Sequence, residues 1–271
     1  MKITKLIKCV IVGICLTSCS KTMYQVYEVK SPDLSIKDNS MVYENEDCKV
    51  LYNLWAYNGT IEFLFENKTD KDIFINMSQT FFIKNGEAYD YYKGMTFQKS
   101  IISSAGIYNT RTDTYWSNNE FWPNKYLNIS TGVNIKKAIG TSTSIKEPEF
   151  ICIPAKSYKI IHYYDINPTL IKSCEKNIAN PKTKAIVETY NESNSPLKLK
   201  NRIAYSFQKS DDSLKFIENN FWLSNITNYS EKTALEKRKK YYNCSKNYTN
   251  VYYFKIGGPN LFFKTYTGNS F

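Results

Sequence analysis

Two Asn-Gly dipeptides between short runs of β-branched and aromatic residues place the strongest constraint on the fold. Residues 50–57 alternate in polarity, Asn58-Gly59 follows, and residues 61–65 return with large apolar residues on one face. Asn85-Gly86 separates the next two apolar runs in the same way. Both residues of such a pair tolerate positive φ, so the dipeptide favours a two-residue hairpin loop. The pattern therefore predicts antiparallel strands joined by tight turns.

Between residues 41 and 167, turn signals follow one another about every ten residues, as is typical of antiparallel sandwiches. The exception is the polar stretch 93–149, and a long irregular segment inside a domain is either functional or mobile. Strand character resumes at residues 150–154 and 158–164. We therefore predict a mainly β fold, with a sandwich domain over 41–167 that carries 93–149 as a long insertion.

The last third of the chain mixes strand and helix signals. Ser230, a good N-cap, precedes acidic and then basic residues, which predicts a helix over 230–241. The other predicted elements are a short helix within 168–177, a polar connector at 180–200 and strands at 203–207, 221–226, 251–256 and 261–266. This pattern predicts a smaller α+β part over 168–271, which is either an extension of the sandwich or a second small domain.

The first nineteen residues have the pattern of an export signal. A basic start with Lys2, Lys5 and Lys8 overlaps an apolar run from residue 6 to residue 16, and this run is too short to cross a bilayer permanently. The run ends in Leu16-Thr17-Ser18-Cys19. This end resembles the lipobox of bacterial lipoproteins. We therefore predict a removable signal peptide over 1–18, a mature chain beginning at Cys19, and a polar tether over 19–40.

The lipoprotein resemblance implies an acylated protein of the cell envelope. Cys19 would carry a diacylglycerol and an amide-linked acyl chain such as palmitate, so the predicted cofactor is this covalent lipid alone and the predicted partner is a membrane. Ser20 implies sorting to the outer membrane. Residues 21–24 lack the acidic cluster of surface-exported relatives, which slightly favours the periplasmic face.

The composition, together with the Thr17-Ser18-Cys19-Ser20 end of the leader, resembles uncharacterised lipoproteins of gut Bacteroidetes. The chain is rich in Lys, Asn, Ile and Tyr. An Ile-x-Phe-x-Phe strand at residues 61–65 precedes the turn at 67–70 and another strand, which resembles the immunoglobulin-like modules common in bacterial lipoproteins. The resemblance implies that the predicted antiparallel sandwich is immunoglobulin-like.

The positive charge of the chain does not indicate nucleic-acid binding. The formal charge of +11 falls to +8 when the three leader lysines are removed, and lysine supplies nearly all of it. Dispersed lysine is typical of a solvated surface, whereas nucleic-acid sites concentrate arginine or combine basic faces with stacking rings. Attraction to anionic lipid or polysaccharide is the more useful consequence.

Four cysteines remain in the mature chain besides Cys19. In an oxidising compartment they allow three pairings, so the sequence predicts two disulfides, or one disulfide and two buried thiols. No Cys-x-x-Cys motif occurs and histidine occurs once, which disfavours redox catalysis and a Cys/His zinc site. The four candidates are Cys48, Cys152, Cys174 and Cys244.

Catalytic signals are few. His162 and Asp165 suggest a general base and its orienting acid, but three residues apart on a strand they point to opposite faces. No serine or cysteine lies in a recognisable nucleophile motif. We therefore expect a packed or surface histidine and lean against an enzyme. An envelope hydrolase stays open, because a carboxylate pair is recognised only by its separation in space.

A cluster of aromatic residues in the insertion is the sharper candidate site. On a polar loop, such rings either stack on a sugar face or tie the loop to the core, and burial is their commoner fate. The candidate glycan-binding residues are Tyr115, Trp116, Phe121, Trp122 and Tyr126.

Two weaker signals complete the list of candidates. Asp212-Ser213-Leu214 resembles the acceptor for O-glycosylation in exported Bacteroidetes proteins, which implies modification at Ser213. Residues 118–122 and 218–222 share an Asn/aromatic run, but a true repeat would extend over a whole supersecondary unit, so we interpret it as coincidence. Taken together, the sequence predicts a lipid-anchored envelope protein with a binding or structural role in assembly. The alternatives are a carbohydrate-binding lipoprotein that uses loop 115–126, or a hydrolase.

Overall fold

The computed structural model describes residues 21–94, 96–100, 111–114, 126–129, 142–242 and 247–267. These residues form nineteen strands and two one-turn helices. The strands are β1 (Thr22–Lys30), β2 (Ser35–Lys37), β3 (Ser40–Glu44), β4 (Cys48–Tyr52), β5 (Thr60–Asn67), β6 (Ile73–Lys84), β7 (Glu87–Asp90), β8 (Thr96–Ser100), β9 (Arg111–Thr114), β10 (Tyr126–Ile129), β11 (Ser142–Lys146), β12 (Phe150–Ile153), β13 (Tyr158–Asp165), β14 (Lys184–Thr189), β15 (Lys198–Ser206), β16 (Lys215–Ser230), β17 (Leu235–Tyr242), β18 (Asn247–Phe254) and β19 (Leu261–Thr267). The helices are α1 (Lys176–Ala179) and α2 (Glu231–Ala234).

Two antiparallel sheets carry the fold. The larger has eight strands in the order β12-β6-β15-β16-β1-β19, with β14 added to β16 and β7 added to β6. The smaller has five strands in the order β13-β5-β4-β3-β2. Three two-stranded ribbons, β9–β10, β8–β11 and β17–β18, lie outside these sheets. The arrangement is sandwich-like with a curled half-barrel sheet, which confirms the predicted mainly β class.

The core lies between the two sheets and is rich in aromatic rings. Tyr52 of β4 meets Phe221 of β16 edge-to-face, with ring centroids 5.3 Å apart. Phe65 of β5 meets Tyr205 of β15 in a similar way at 5.8 Å. The alternate residues of β5 at 61, 63 and 65 all join this core, as the sequence pattern predicted. Each fully buried ring of this size contributes about 1.5–3 kcal/mol through burial.

The predicted tether contains a central strand of the larger sheet. β1 lies between β16 and β19, and its side chains are buried on both faces. Tyr27 and Val29 enter the main core, while Tyr24 and Val26 pack in a second cluster on the opposite face. The tether prediction is therefore wrong over Thr22–Lys30, because non-local pairing of this segment with the end of the chain is invisible in its local composition.

The two Asn-Gly turns behave differently. Asn85 and Gly86 have φ values of 50° and 88° and join β6 to β7 as the predicted two-residue loop. Asn58 and Gly59 also have positive φ, but β4 ends six residues earlier, with Tyr52 opposite Phe63 of β5. The connection is therefore longer than predicted.

The segment before Gly59 leaves the smaller sheet to pair with the end of the chain. Leu54 donates its backbone N–H to the carbonyl of Pro259 at 2.8 Å, and Asn58 donates to Phe263 at 2.8 Å. Leu54 is also fully buried. These contacts replace the ladder that a tight hairpin would have formed.

The predicted helix over 230–241 is wrong beyond its first turn. Only α2 is helical, and the basic run that follows forms β17, which pairs along its whole length with β18. Ser230 does not cap the helix, since its hydroxyl donates instead to the carbonyl of Lys182 at 3.0 Å. Pairing with β18 outweighs the helix propensity of the lysine run, which is a weak effect per residue.

The rest of the C-terminal third completes the larger sheet. β15, β16 and β19 are members of the same sheet as β6 and β12, so this part does not pack beside a separate sandwich. The expected helix within 168–177 is limited to α1 at its end, and the expected connector 180–200 contains β14.

Candidate functional site

The structure describes the chain from Lys21, two residues after the predicted lipidation site. Cys19 itself lies outside the described residues, and β1 begins at Thr22. Three residues reach at most about 11 Å when fully extended. An acyl group on Cys19 would therefore lie close to the end of the larger sheet at which β1 begins.

The predicted aromatic loop falls mostly outside the described residues. This holds for Tyr115, Trp116, Phe121 and Trp122, whereas Tyr126 begins β10 with its side chain undescribed. The glycan site at this loop therefore stays a prediction.

Three of the four predicted disulfide cysteines are free thiols: Cys48, Cys152 and Cys174. Cys244 lies outside the described residues. The prediction of two disulfides, which needs all four thiols, is therefore wrong for this structure. Cys48 lies on β4 of the smaller sheet, Cys152 lies on the edge strand β12 of the larger one, and Cys174 is exposed.

Cys48 is a buried core thiol. Its Sγ lies 3.4 Å from Oδ1 of Asn45, and the side chain is fully buried. Burial, together with the adjacent carboxylate of Asp47, raises the pKa of this thiol to about 12. The thiol is therefore protonated at neutral pH, which is the opposite of what a nucleophilic or redox-active cysteine needs.

The predicted modification site and the predicted histidine lie on different parts of the fold. Ser213 is exposed on the turn between β15 and β16 and has a φ of 65°. His162 lies in β13 with its backbone opposite Glu62, beside a register shift that ends at Tyr164. The shift interrupts the alternation on which the opposite-face argument depended, and the side chain of His162 lies outside the description.

A groove of about 340 Å³ on the outer face of the larger sheet joins an aromatic ring, Trp222, to polar groups. On β16, Phe221 points into the core, so its neighbours Asn220 and Trp222 lie on the opposite face. The strand register sets Lys198 of β15 opposite Trp222 and Lys200 opposite Asn220.

The polar groups of the groove are held in place. Asp33 accepts hydrogen bonds from the backbone N–H of Asn220 at 2.9 Å and from its side-chain amide at 3.0 Å. The ammonium of Lys200 lies 2.8 Å from a carboxylate oxygen of Glu218. Fixed amide and ammonium groups beside an indole ring offer hydrogen bonds and a flat apolar face to the same ligand.

Among the lining residues Glu192 is the carboxylate, and the carboxylates of Asp33 and Glu218 contact the lining residues Asn220 and Lys200. Sequence reasoning noted the run 218–222 and interpreted it as coincidence. The signal that could have identified this site is the alternation of side chains along the strand. Asn220 and Trp222 lie on the polar face of a strand whose other face is buried.

A second polar cluster lies beneath segment 166–171 and is structural. Oε1 of Gln25 accepts from the hydroxyl of Tyr27 at 2.6 Å and from the backbone N–H of Ile171 at 2.8 Å. Its amide donates to Asn228 Oδ1 and to the carbonyl of Ile171, both at 2.9 Å. Because every polar atom of this buried glutamine has a partner, the cluster fixes the loop and leaves no group for a ligand.

Searches for a metal site and for similar proteins add no ligand and no family. The described residues contain no group of three or more His, Cys, Asp or Glu side chains suited to a metal ion. None of their helices is both long enough and apolar enough to span a bilayer. No protein-family model, curated protein or solved structure matches the chain.

Proposed function

We propose that the protein is a lipid-anchored component of a bacterial outer membrane, with a binding or assembly role, and that its body lies on the periplasmic face. The observation that carries this proposal is the leader that ends in Leu16-Thr17-Ser18-Cys19. Several acyl chains on one cysteine give firm anchoring, whereas a single chain binds only marginally.

The placement of β1 supports a short link between anchor and body. Thr22 already pairs with Thr267 of β19, and Met23 pairs with Ser230 of β16. A body joined to its anchor by two residues, Ser20 and Lys21, is held against the membrane surface. Partners within reach are therefore components of the same membrane or of the layer next to it.

Metabolic labelling with radioactive palmitate tests the anchor. The wild-type protein is expected to carry the label in the membrane fraction. Cys19→Ala is expected to lose the label and to retain its leader, because the modified cysteine is the recognition feature for cleavage. Cys174→Ala is the matched control, since that cysteine is exposed and lies outside the leader. An unlabelled wild-type protein, or equal labelling of Cys19→Ala, contradicts the proposal.

Carbohydrate binding is the second candidate function, and the groove beside Trp222 is the observation that favours it. The indole ring provides a stacking face, while Asn220 and Lys198 provide a hydrogen-bond donor and a positive charge. This combination suits a glycan that carries acidic groups. The site differs from the loop that the sequence predicted, so the two locations need separate variants.

A glycan array followed by titration calorimetry separates the two locations. If the groove binds, Trp222→Ala should weaken binding at least about tenfold, since stacked aromatic anchors dominate such sites. Tyr158→Ala removes an exposed aromatic from the other sheet and should leave affinity unchanged. If only the double variant Trp116→Ala/Trp122→Ala loses binding, the loop is the site. No binding by the wild-type protein contradicts both.

A further inference from the structure

The β17–β18 ribbon is a strongly basic element of the described residues, with Lys237, Arg238, Lys239 and Lys240 on β17. The segment from Leu235 to Phe254 contains five basic residues against one acidic residue in the sequence. It belongs to neither large sheet. Eight residues of β-strand span about 26 Å, so the ribbon is long enough to present an extended surface.

One face of the ribbon combines lysine with exposed tyrosine. In the register, Lys237 lies opposite Tyr252 and Tyr241 lies opposite Tyr248, with Lys239 between them on the same strand. Residues directly opposite one another in an antiparallel pair, and alternate residues along each strand, share a face. The three tyrosines are 48% (Tyr241), 71% (Tyr248) and 50% (Tyr252) exposed. This set, Lys237, Lys239, Tyr241, Tyr248 and Tyr252, is called the lysine–tyrosine face below.

The charges of this face are not neutralised within the described part of the protein. There, neither Lys237 nor Lys239 forms an ion pair. Arg238 on the opposite face is different, because its guanidinium lies 2.8 Å from Glu236 and stacks over Tyr253 at 5.1 Å. The lysine–tyrosine face is therefore the one with charge available for an external partner.

The ribbon is fixed to the body beside the predicted anchor. At its base, Leu235 and Phe254 belong to the apolar cluster of Tyr24, with the rings of Phe254 and Tyr24 5.7 Å apart. Tyr24 is the fifth residue after Cys19. The ribbon also follows β16 and α2 directly, and β16 ends opposite the start of β1. An acyl chain on Cys19 and the ribbon thus share one end of the sheet.

We propose that the lysine–tyrosine face binds the anionic headgroup layer of the membrane that holds the acyl chains. Lysine is attracted to a negative leaflet, and tyrosine rings partition into the region between headgroups and acyl chains. This inference rests on the proposed lipid anchor, because the anchor brings the ribbon to the membrane. Binding of the face to headgroups itself needs no acyl group. The ribbon would orient the body on the membrane, so that the groove beside Trp222 has a fixed relation to the bilayer.

Vesicle sedimentation of the mature chain with Cys19→Ser tests the contact without acylation. The protein is expected to bind vesicles of phosphatidylethanolamine with phosphatidylglycerol and not vesicles of phosphatidylcholine alone. Binding should weaken strongly between about 0.1 M and about 1 M salt, because the screening length falls from about 10 Å to about 3 Å. Circular dichroism and the midpoint of thermal unfolding check that each variant is folded.

Two charge-reversal variants locate the contact. Lys237→Glu/Lys239→Glu should lower partitioning at least about twenty-fold, since each basic residue at an anionic surface contributes roughly fivefold. Lys71→Glu/Lys209→Glu makes the same charge change, and both of its residues are exposed. They lie at the far end of the sheet, where Phe74 of β6 pairs with Ser206 of β15. This control should keep partitioning within about threefold, because distant charges are screened.

A third variant separates the tyrosines from the charge. Tyr241→Ser/Tyr248→Ser should weaken binding several-fold at both salt concentrations, since interfacial partitioning of a ring is not screened. Equal losses in the two charge-reversal variants, no binding to anionic vesicles, or capture by soluble anionic polysaccharide without vesicle binding would overturn the inference. Failure of palmitate labelling would leave these results unaffected, because the variant carries no acyl chain.

Discussion

Replacing the glycine of each Asn-Gly turn by alanine adds one methyl group. Gly59→Ala tests the packing of the core, and Gly86→Ala is its control. At Gly59, a Cβ atom would lie 2.8 Å from Cγ of Phe262 and 3.0 Å from Cδ1 of Ile166. Both neighbours are fully buried, and Phe262 is stacked on Tyr27 with ring centroids 5.1 Å apart. At Gly86, which also has positive φ, a Cβ atom would meet nothing within 4 Å.

The magnitudes follow from two separate costs. A non-glycine residue in the left-handed region costs about 1–2 kcal/mol, and both variants bear this cost. Overpacking a core costs about 1–3 kcal/mol more, and Gly59→Ala alone bears it. The free energy of unfolding should therefore fall by about 2–5 kcal/mol in Gly59→Ala and by about 1–2 kcal/mol in Gly86→Ala.

Urea denaturation of the mature chain, followed by circular dichroism, measures this difference. A chain of this size shifts its thermal midpoint by about 2–4 °C per kcal/mol, so a thermal scan gives a second reading. If Gly59→Ala is no less stable than Gly86→Ala, the turn at Gly59 does not pack against Phe262. The segment between β4 and β5 would then not contact β19 as described.

Three further predictions concern buried groups. Tyr27→Phe should cost about 0.5–1.5 kcal/mol, because the side-chain oxygen of buried Gln25 loses one of its two hydrogen-bond donors and keeps the backbone N–H of Ile171. Urea denaturation measures this cost, and an unchanged midpoint would refute it. Alkylation at about pH 8 should modify Cys174 well before Cys48, since burial raises the pKa of the Cys48 thiol to about 12; equal rates by mass spectrometry would contradict the placement of Cys48. Burial opposes ionisation of Asp47, but hydrogen bonds from a lysine and a tyrosine outweigh burial and lower the pKa of this carboxyl. The ionised carboxylate therefore stabilises the fold fully above the ordinary pKa near 3.9. This stabilisation is lost as the pH falls through the lower pKa of the folded state. Asp47→Asn should accordingly lose less stability than the wild type on acidification, and parallel acid-unfolding curves would argue against that contribution.

Sequence reasoning succeeded where the signal is local. The alternation of residues 61–65 predicted a strand with one face in the core, and Asn85-Gly86 predicted a tight hairpin, because both features depend on neighbouring residues alone. The strands at the end of the chain were also predicted near their observed positions, as β19 shows at Leu261–Thr267.

Errors arose where distant segments meet. The run Leu235–Tyr242 has a composition suited to a helix, but β18 supplies a complete ladder of partners. Thr22–Lys30 lies among polar residues and lysines, yet it pairs with β16 and β19, some two hundred residues away. Neither partner can be recognised from the local pattern.

The candidate site could not be predicted from the sequence for the same reason. Trp222 became a candidate only when pairing of β15 with β16 set Lys198 beside it and when Asp33 fixed Asn220. The lysine–tyrosine face likewise depends on the register of two strands. Sequence indicated the residue types but not their juxtaposition.

Mass spectrometry of the amino-terminal peptide from protein purified out of its own membranes tests the lipid anchor most directly. Trypsin should release a peptide of Cys19, Ser20 and Lys21. The account predicts that this peptide begins at Cys19 and carries the added mass of a diacylglycerol and one amide-linked acyl chain. A peptide that retains leader residues, or an unmodified Cys19 at the amino terminus, would contradict the lipid anchor.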